Sequence, residues 1–139
     1  MLTHIGTKTI ETDRMILRRF EYSDNEFMRK NWISNEKIQS LYSEPVYETE
    51  EAVKELLDKY IGSYEKDDYY RWAIIDKVTK ECIGQIAYFL VDNKNHFAEI
   101  EYCIGEEYQC KGLATEATKA VIAYGFDKIN LHKVQICTK

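Results

Sequence analysis

One proline, Pro45, and six glycines in 139 residues leave little room for a Pro-rich, collagen-like or low-complexity chain. No apolar run approaches the ~20 residues that a membrane-spanning helix needs, and residues 1–6 lack the apolar core of a signal peptide. The expectation is a cytoplasmic protein with no membrane partner. Four cysteines, Cys82, Cys103, Cys110 and Cys137, form no Cys-x-x-Cys pair, and His4, His96 and His132 are scattered. Neither a disulfide framework nor a metal site is expected from such spacing. Basic residues are in deficit, 19 against 24 acidic, for a net charge of −5. That argues against general nucleic-acid binding, which depends on a positive surface. What is present, 45% hydrophobic and 31% charged residues, suits a single domain over residues 1–139 with its own core.

Periodicity places the elements. Ile10, Met15, Leu17 and Phe20 alternate with charges and predict a first strand centred on residues 15–19. Ser23-Asp24-Asn25-Glu26 fits a capping box, so the spacing predicts a helix from Asp24 towards Trp32. A short helical turn is expected after Ser34, ending before Ser43-Glu44-Pro45, because proline disfavours helix at the preceding residue. Thr49 reads as the next N-cap. Behind it Ala52, Val53, Leu56, Leu57, Tyr60, Ile61 and Tyr64 form one apolar stripe and predict a helix over 50–65. Strand-like runs at 69–76, 82–91 and 98–104 follow, divided by turn signals at 77–80 and 92–95. Short links between consecutive strands imply an antiparallel meander. A helix over 114–127 and a last strand over 133–137 complete a crossover that should be parallel and right-handed. The expected fold class is α+β (mixed α/β), in the order β-α-α-β-β-β-α-β.

The stretch Ala98 to Phe126 is where chemistry concentrates. A strand, AEIEYCI, turns through Gly105 and the loop Gln109-Cys110-Lys111-Gly112-Leu113-Ala114 into a helix whose Leu113, Ala117, Ala120, Val121 and Tyr124 share one face. The first N–H groups of a helix have no intrahelical partner, and the aligned peptide dipoles add partial positive charge there. A pyrophosphate can satisfy several such donors together. Gly112 suits the loop because no Cβ blocks a phosphate and positive φ costs it little. In the strand, period-2 alternation puts Glu99, Glu101 and Cys103 on one face and Ile100, Tyr102 and Ile104 on the other, unless a bulge breaks the parity. Two carboxylates here read either as a solvated face or as acid–base groups. The tyrosines, eleven in all, read mostly as core or rim.

The array Gln109-x-x-Gly112-x-Ala114, between that strand and a helix opening Ala114-Thr115-Glu116-Ala117, resembles the acetyl-CoA loop of the GNAT superfamily of N-acetyltransferases, usually Gln/Arg-x-x-Gly-x-Gly/Ala. Thr12-Asp13-Arg14-Met15-Ile16-Leu17-Arg18-Arg19, Trp72-Ala73-Ile74, Ile83-Gly84 and Gly112 to Ala117 are similar to the branch holding the ribosomal-protein N-terminal acetyltransferases (RimJ/RimL-like). The resemblance implies acetyl-CoA as cosubstrate and direct attack by a primary amine. The α-amine at a protein N-terminus is the foremost acceptor; polyamines and aminoglycosides stay open in the same class. It implies that main chain at Tyr102, Cys103 and Ile104 pairs with the pantetheine arm. The pyrophosphate would lie against the loop from Gln109 through Cys110, Lys111, Gly112, Leu113 and Ala114, with the Thr115 hydroxyl in reach. Glu99 takes the position of the general base in histone acetyltransferases of the superfamily, with Glu101 as the second candidate. Trp32 and Trp72 would line the acceptor cleft, core packing being the alternative.

In the superfamily another helix and two strands usually follow the fifth strand, whereas this sequence stops at Lys139. Those elements commonly supply an Asn that contacts the cofactor and, in many members, a Tyr that protonates the leaving thiolate. A truncated chain is therefore expected, or a partner, a homodimer included, that covers the open sheet edge. The rival to an enzyme is a catalytically silent CoA-binding module or a fragment completed by a partner.

Overall fold

A computed structural model describes residues 2–41 and 44–136. Cys137, assigned above to the last strand, lies outside the described residues. The molecule is organised on one sheet whose six strands lie side by side in chain order. They are β1 (Ile10–Glu11), β2 (Met15–Arg18), β3 (Tyr70–Asp76), β4 (Cys82–Asp92), β5 (Phe97–Ile104) and β6 (Lys133–Ile136). The first five pair antiparallel, and β6 joins β5 in parallel. The mixed α/β class and the meander-then-crossover order are those read from the pattern of apolar residues.

Helices cover both faces, in three layers. On one side lie α1 (Asn25–Met28), α2 (Glu36–Leu41) and α3 (Glu50–Ser63); on the other lies α4 (Leu113–Tyr124). Each face has its own core. Met15, Leu17, Trp72, Ile86, Ile100, Ala117 and Val121 pack between the sheet and α4. Phe20, Met28, Trp32, Val53, Leu57, Ala73 and Cys103 pack between the sheet and the first three helices. Strands buried on both faces read as continuous apolar runs, and β3 is such a strand from Trp72 to Ile75. Thr49 caps α3 as its sequence implies, its hydroxyl accepting from the Ala52 amide at 3.1 Å. Where β4 and β5 pair, Gly84 carries no side chain because a Cβ would stand 2.2 Å from the Cys103 carbonyl oxygen.

Two local readings are corrected. The first strand is two strands, because Thr12 closes a tight turn. Its N–H donates to the Met15 carbonyl at 2.9 Å, and its hydroxyl accepts from the Met15 amide at 3.1 Å. Nor is Ser23 the helix cap. A 3-10 turn, Tyr22–Asp24, comes first, and the Asp24 carboxylate takes the Glu21 amide at 2.8 Å. Asp24 also receives both terminal nitrogens of Arg18, at 2.9 and 2.8 Å. A buried carboxylate with a forked charged partner outcompetes a serine hydroxyl for that role. Beyond α1 the chain widens into a π-helical segment, Arg29–Ile33.

Candidate active site

The turn between β5 and α4 is shaped by main chain. Gly112 is the N-cap of α4 with φ 78° and ψ 3°, and Cys110 also has positive φ, 61°. Among the described residues, none of the N–H groups of Cys110, Lys111, Gly112, Leu113 and Ala114 finds a protein acceptor. Five donors at the positive end of a twelve-residue helix form a ready anion site. The turn is held from outside. Glu116, in the first turn of α4, accepts from the Thr12 hydroxyl at 2.6 Å, the Arg14 amide at 3.0 Å and Arg14 Nε at 2.7 Å. Arg14 Nη1 in turn donates to the Lys111 carbonyl at 2.8 Å. Burial raises the Glu116 pKa, but the bonds from Thr12 and Arg14 prevail and hold it below the ordinary carboxylate value. Gln109 Nε2 ties the loop to the end of β5 through the Ile104 carbonyl at 2.9 Å. A groove runs over this loop, lined by Tyr102, Ile104, Tyr108, Gln109, Cys110, Gly112, Ala114 and Thr115. It continues along α4 past Thr118 and Ile122. β6 pairs with β5 from Phe97 to Ile100. Alongside residues 101–104 no described residue supplies a paired strand on that side.

On the opposite face a small cavity of about 60 Å³ is lined by Ile33, Tyr47, Leu56, Tyr60, Arg71, Gln85, Glu101 and Cys103, among others. Register explains why these meet. Arg71 on β3 pairs with Ala87 on β4, which pairs with Glu101 on β5. The small central residue lets the two long charged chains approach, to 3.5 Å between Arg71 Nη2 and Glu101 Oε1. Arg71 donates from Nε to the Tyr69 hydroxyl at 3.0 Å and from Nη1 to Gln85 Oε1 at 2.5 Å. The Tyr60 ring covers its guanidinium at 4.6 Å. Burial opposes the Arg71 charge, but Tyr60, Tyr69 and Glu101 outweigh it and raise the pKa. Burial pushes the Tyr60 hydroxyl up to about 12. Burial, with Glu101 adding to it, pushes the Cys103 thiol up to about 12 as well. Tyr102 lines this cavity and both parts of the groove. It is where the two sides meet.

Comparison with known proteins decides what this arrangement belongs to. A profile of the acetyltransferase (GNAT) domain family matches residues 14–139. The chain belongs to the GNAT acetyltransferase family. An uncharacterised N-acetyltransferase, YoaA, of Bacillus subtilis is 31% identical over 125 residues, spanning 90% of this chain and 70% of that protein. The crystal structure of spermidine N-acetyltransferase from Vibrio cholerae, in complex with CoA and spermine, superposes with a TM-score of 0.71 at 27% identity, over 90% of this chain and 71% of that one. The ribosomal-protein-S5-alanine acetyltransferase of Vibrio fischeri, at 22% identity and a TM-score of 0.75 over 93% and 73% of the two chains, shares the fold. As a GNAT enzyme this chain is an acetyl-CoA-dependent N-acetyltransferase. Its residues fit that cosubstrate: amides at 110–114 with no acceptor among the described residues, and no Cβ at Gly112. Acetyl-CoA brings an activated acetyl thioester. Among the described residues no group of three His, Cys, Asp or Glu side chains is placed to hold a metal, and no helix is long and apolar enough to cross a membrane.

In this GNAT domain the predicted cofactor residues gather in one groove. Gln109, Cys110, Gly112, Ala114 and Thr115 line it with Tyr102 and Ile104, while Lys111 and Leu113 belong to the same turn, Leu113 packing inward. Cys103 faces the other way, into the cavity. The two carboxylates separate. Glu101 lines the cavity beside Arg71. Glu99, two residues earlier on the strand and half-buried, lines neither that cavity nor the groove. Trp32 and Trp72 correct the reading of them as acceptor-cleft residues: both are fully buried, Trp32 in the core under the first helices and Trp72 in the core under α4. A large aromatic with no exposed surface packs; it does not line a cleft. Sequence reasoning missed Arg71, Gln85 and Tyr60, which no local pattern links. It also missed the Arg14–Glu116 clamp, although both residues stand in segments quoted above for their family resemblance.

Proposed function

We propose that this enzyme acetylates a primary amine, foremost the N-terminal α-amine of a protein, by direct attack of the amine on the thioester. The observation that carries the proposal is the shared wall at Tyr102, which separates a main-chain-lined groove from a cavity holding an ionised pair. In this reading the amides of Cys110 to Ala114 hold the pyrophosphate, with Thr115 beside them. Main chain from Tyr102 to Ile104 pairs with the pantetheine arm as an added strand would. An α-amine, with a pKa near ~8, loses its proton far more readily at neutral pH than a lysine amine near ~10.4. Glu101, at the cavity wall, is the proposed proton acceptor, directly or through water; Glu99 is the second candidate. Cys103, held protonated by its raised pKa, is unsuited to carry the acetyl group itself, which favours direct transfer.

The test is thiol release from acetyl-CoA with a panel of amines and N-terminal peptides. Glu101→Gln is expected to lower kcat roughly 10²-fold or more, the range of general-base contributions, with acetyl-CoA affinity unchanged. An undiminished kcat in that variant, together with a fall in Glu99→Gln, would move the base to Glu99. No thiol release with any amine would refute the proposed function.

A further inference from the structure

We infer that Arg71 determines acceptor specificity, its guanidinium taking the oxygen on the carbon next to the one that bears the reacting amine. The acceptor is then an α-amine carrying a carbonyl or carboxylate oxygen, whether a peptide N-terminus or a free α-amino acid, and not a polyamine. This rests on the reading of the cavity as the acceptor side of an amine acetyltransferase.

Arg71 is fixed before any ligand arrives. Its Nε and Nη1 are committed to Tyr69 and Gln85, and Tyr60 covers the plane. A guanidinium has five N–H donors; the bonds to Tyr69 and Gln85 use two, Nη2 stands 3.5 Å from Glu101 Oε1, and the residue lines the cavity. The side chain is 14% exposed, and a charge so enclosed acts in a lower dielectric than at the surface. A fixed cation with spare donors in a cavity of about 60 Å³ selects for a small acceptor group that brings an oxygen.

Spacing narrows the choice. Arg71 Nη2 and Glu101 Oε1 lie 3.5 Å apart and carry opposite charges. In an α-amine the nitrogen and the neighbouring carbonyl oxygen are three bonds apart, about 3 Å through space. The wall therefore presents a complement to each: the carboxylate to the ammonium or amine, the guanidinium to the oxygen. Glu44, exposed at the edge of the cavity, adds the negative charge that attracts the cationic acceptor. A polyamine fits this wall badly. Its next nitrogen is also cationic and sits about 5–6 Å away, with no oxygen for Arg71.

The experiment compares alaninamide, alanine and an alanine-initiated tripeptide with sec-butylamine, which lacks the oxygen, and with spermidine. Thiol release and acetyl-CoA binding are measured separately on the whole chain. Rates are referred to the unprotonated fraction of each amine, because the α-amine of alaninamide sheds its proton far more readily than an alkylamine. On that basis the expected kcat/KM for alaninamide is about ten- to hundredfold above that for sec-butylamine, the worth of a hydrogen bond to a charged group. Spermidine should be no better than sec-butylamine. The alanine and tripeptide arms separate a free amino acid from a peptide end. In Arg71→Gln the alaninamide advantage should collapse towards unity through a raised KM, while acetyl-CoA still binds. A purely structural arginine would instead depress all acceptors together. Spermidine or sec-butylamine as the best acceptor of the native protein would overturn the inference and leave the acetyltransferase reading intact. No turnover with any amine would overturn both. The panel on the native protein does not depend on whether the variant folds.

Discussion

The groove over residues 109–115 and the cavity at Arg71 sit on either side of Tyr102, yet they are made of different things. The groove presents backbone amides, set by two positive-φ residues and one helix start. Its geometry comes from consecutive residues. The cavity presents side chains from β3, β4, β5, α3 and the segments around α2, and its geometry comes from strand register. A backbone site tolerates changes of side chain so long as the turn keeps its shape. A side-chain site can be remade one substitution at a time. In the proposed function the family's common chemistry belongs with the first kind, and acceptor choice with the second.

The largest expected effect tests whether the two regions are separable at all. Trp72→Ala should lower stability by about 3–5 kcal/mol, read as a fall in the urea midpoint of unfolding. Both regions stand on the sheet that Trp72 supports, so both should suffer together. A selective rise in acceptor KM in the folded variant would return Trp72 to the acceptor side.

Gly112→Val should separate them cleanly. A β-branched residue at φ 78° is strained, and its Cβ would stand 3.3 Å from Arg14 Nη2. Together with about 1–2 kcal/mol for the left-handed conformation, this should weaken acetyl-CoA roughly tenfold or more by isothermal titration, with the acceptor KM little changed. A change confined to the acceptor would break the comparison.

The smallest effect concerns the clamp. The folded pKa of Glu116 is lowered below the ordinary value of 4.5. Its contribution to stability is therefore present above 4.5 and lost as pH falls through the folded value. Glu116→Gln should cost about 1 kcal/mol at neutral pH by urea unfolding, kept modest because Arg14 is about half exposed. Its deficit against the native chain should shrink as pH drops below 4.5. A deficit that persists unchanged in acid would remove the ionised clamp from the account.

The same contrast explains what the sequence makes legible. The loop is readable because it is local: Gly112 shapes the turn and Gln109 ties back to Ile104, five residues away, so a strand-turn-helix pattern suggests an anion loop and the family resemblance supplies the cosubstrate. The alternation in β5 is readable too: Cys103 and Glu101 face the cavity, while Ala98, Ile100 and Ile104 pack towards α4. Arg71 and Glu101 are thirty residues apart in the chain and meet only because two turns set the pairing of Arg71 with Ala87 and of Ala87 with Glu101. No periodicity encodes that register. The tryptophans mislead for a related reason: an aromatic at a strand or helix position is marked for burial, but the pattern does not say whether it ends in a core or at a cleft wall. Ser23 misleads because a stronger acceptor, Asp24, stands beside it and is already forked to Arg18.

In the proposed function a diphosphate rests on the free amides at the start of α4. Amide proton–nitrogen correlation spectra, recorded as acetyl-CoA is added to the whole chain, test it residue by residue. The largest shifts are expected at Cys110 to Thr115, smaller ones at Tyr102 to Ile104, and little change at Arg71 or Gln85. Unmoved amides at 110–114 under saturating acetyl-CoA, with the shifts concentrated elsewhere, would contradict it.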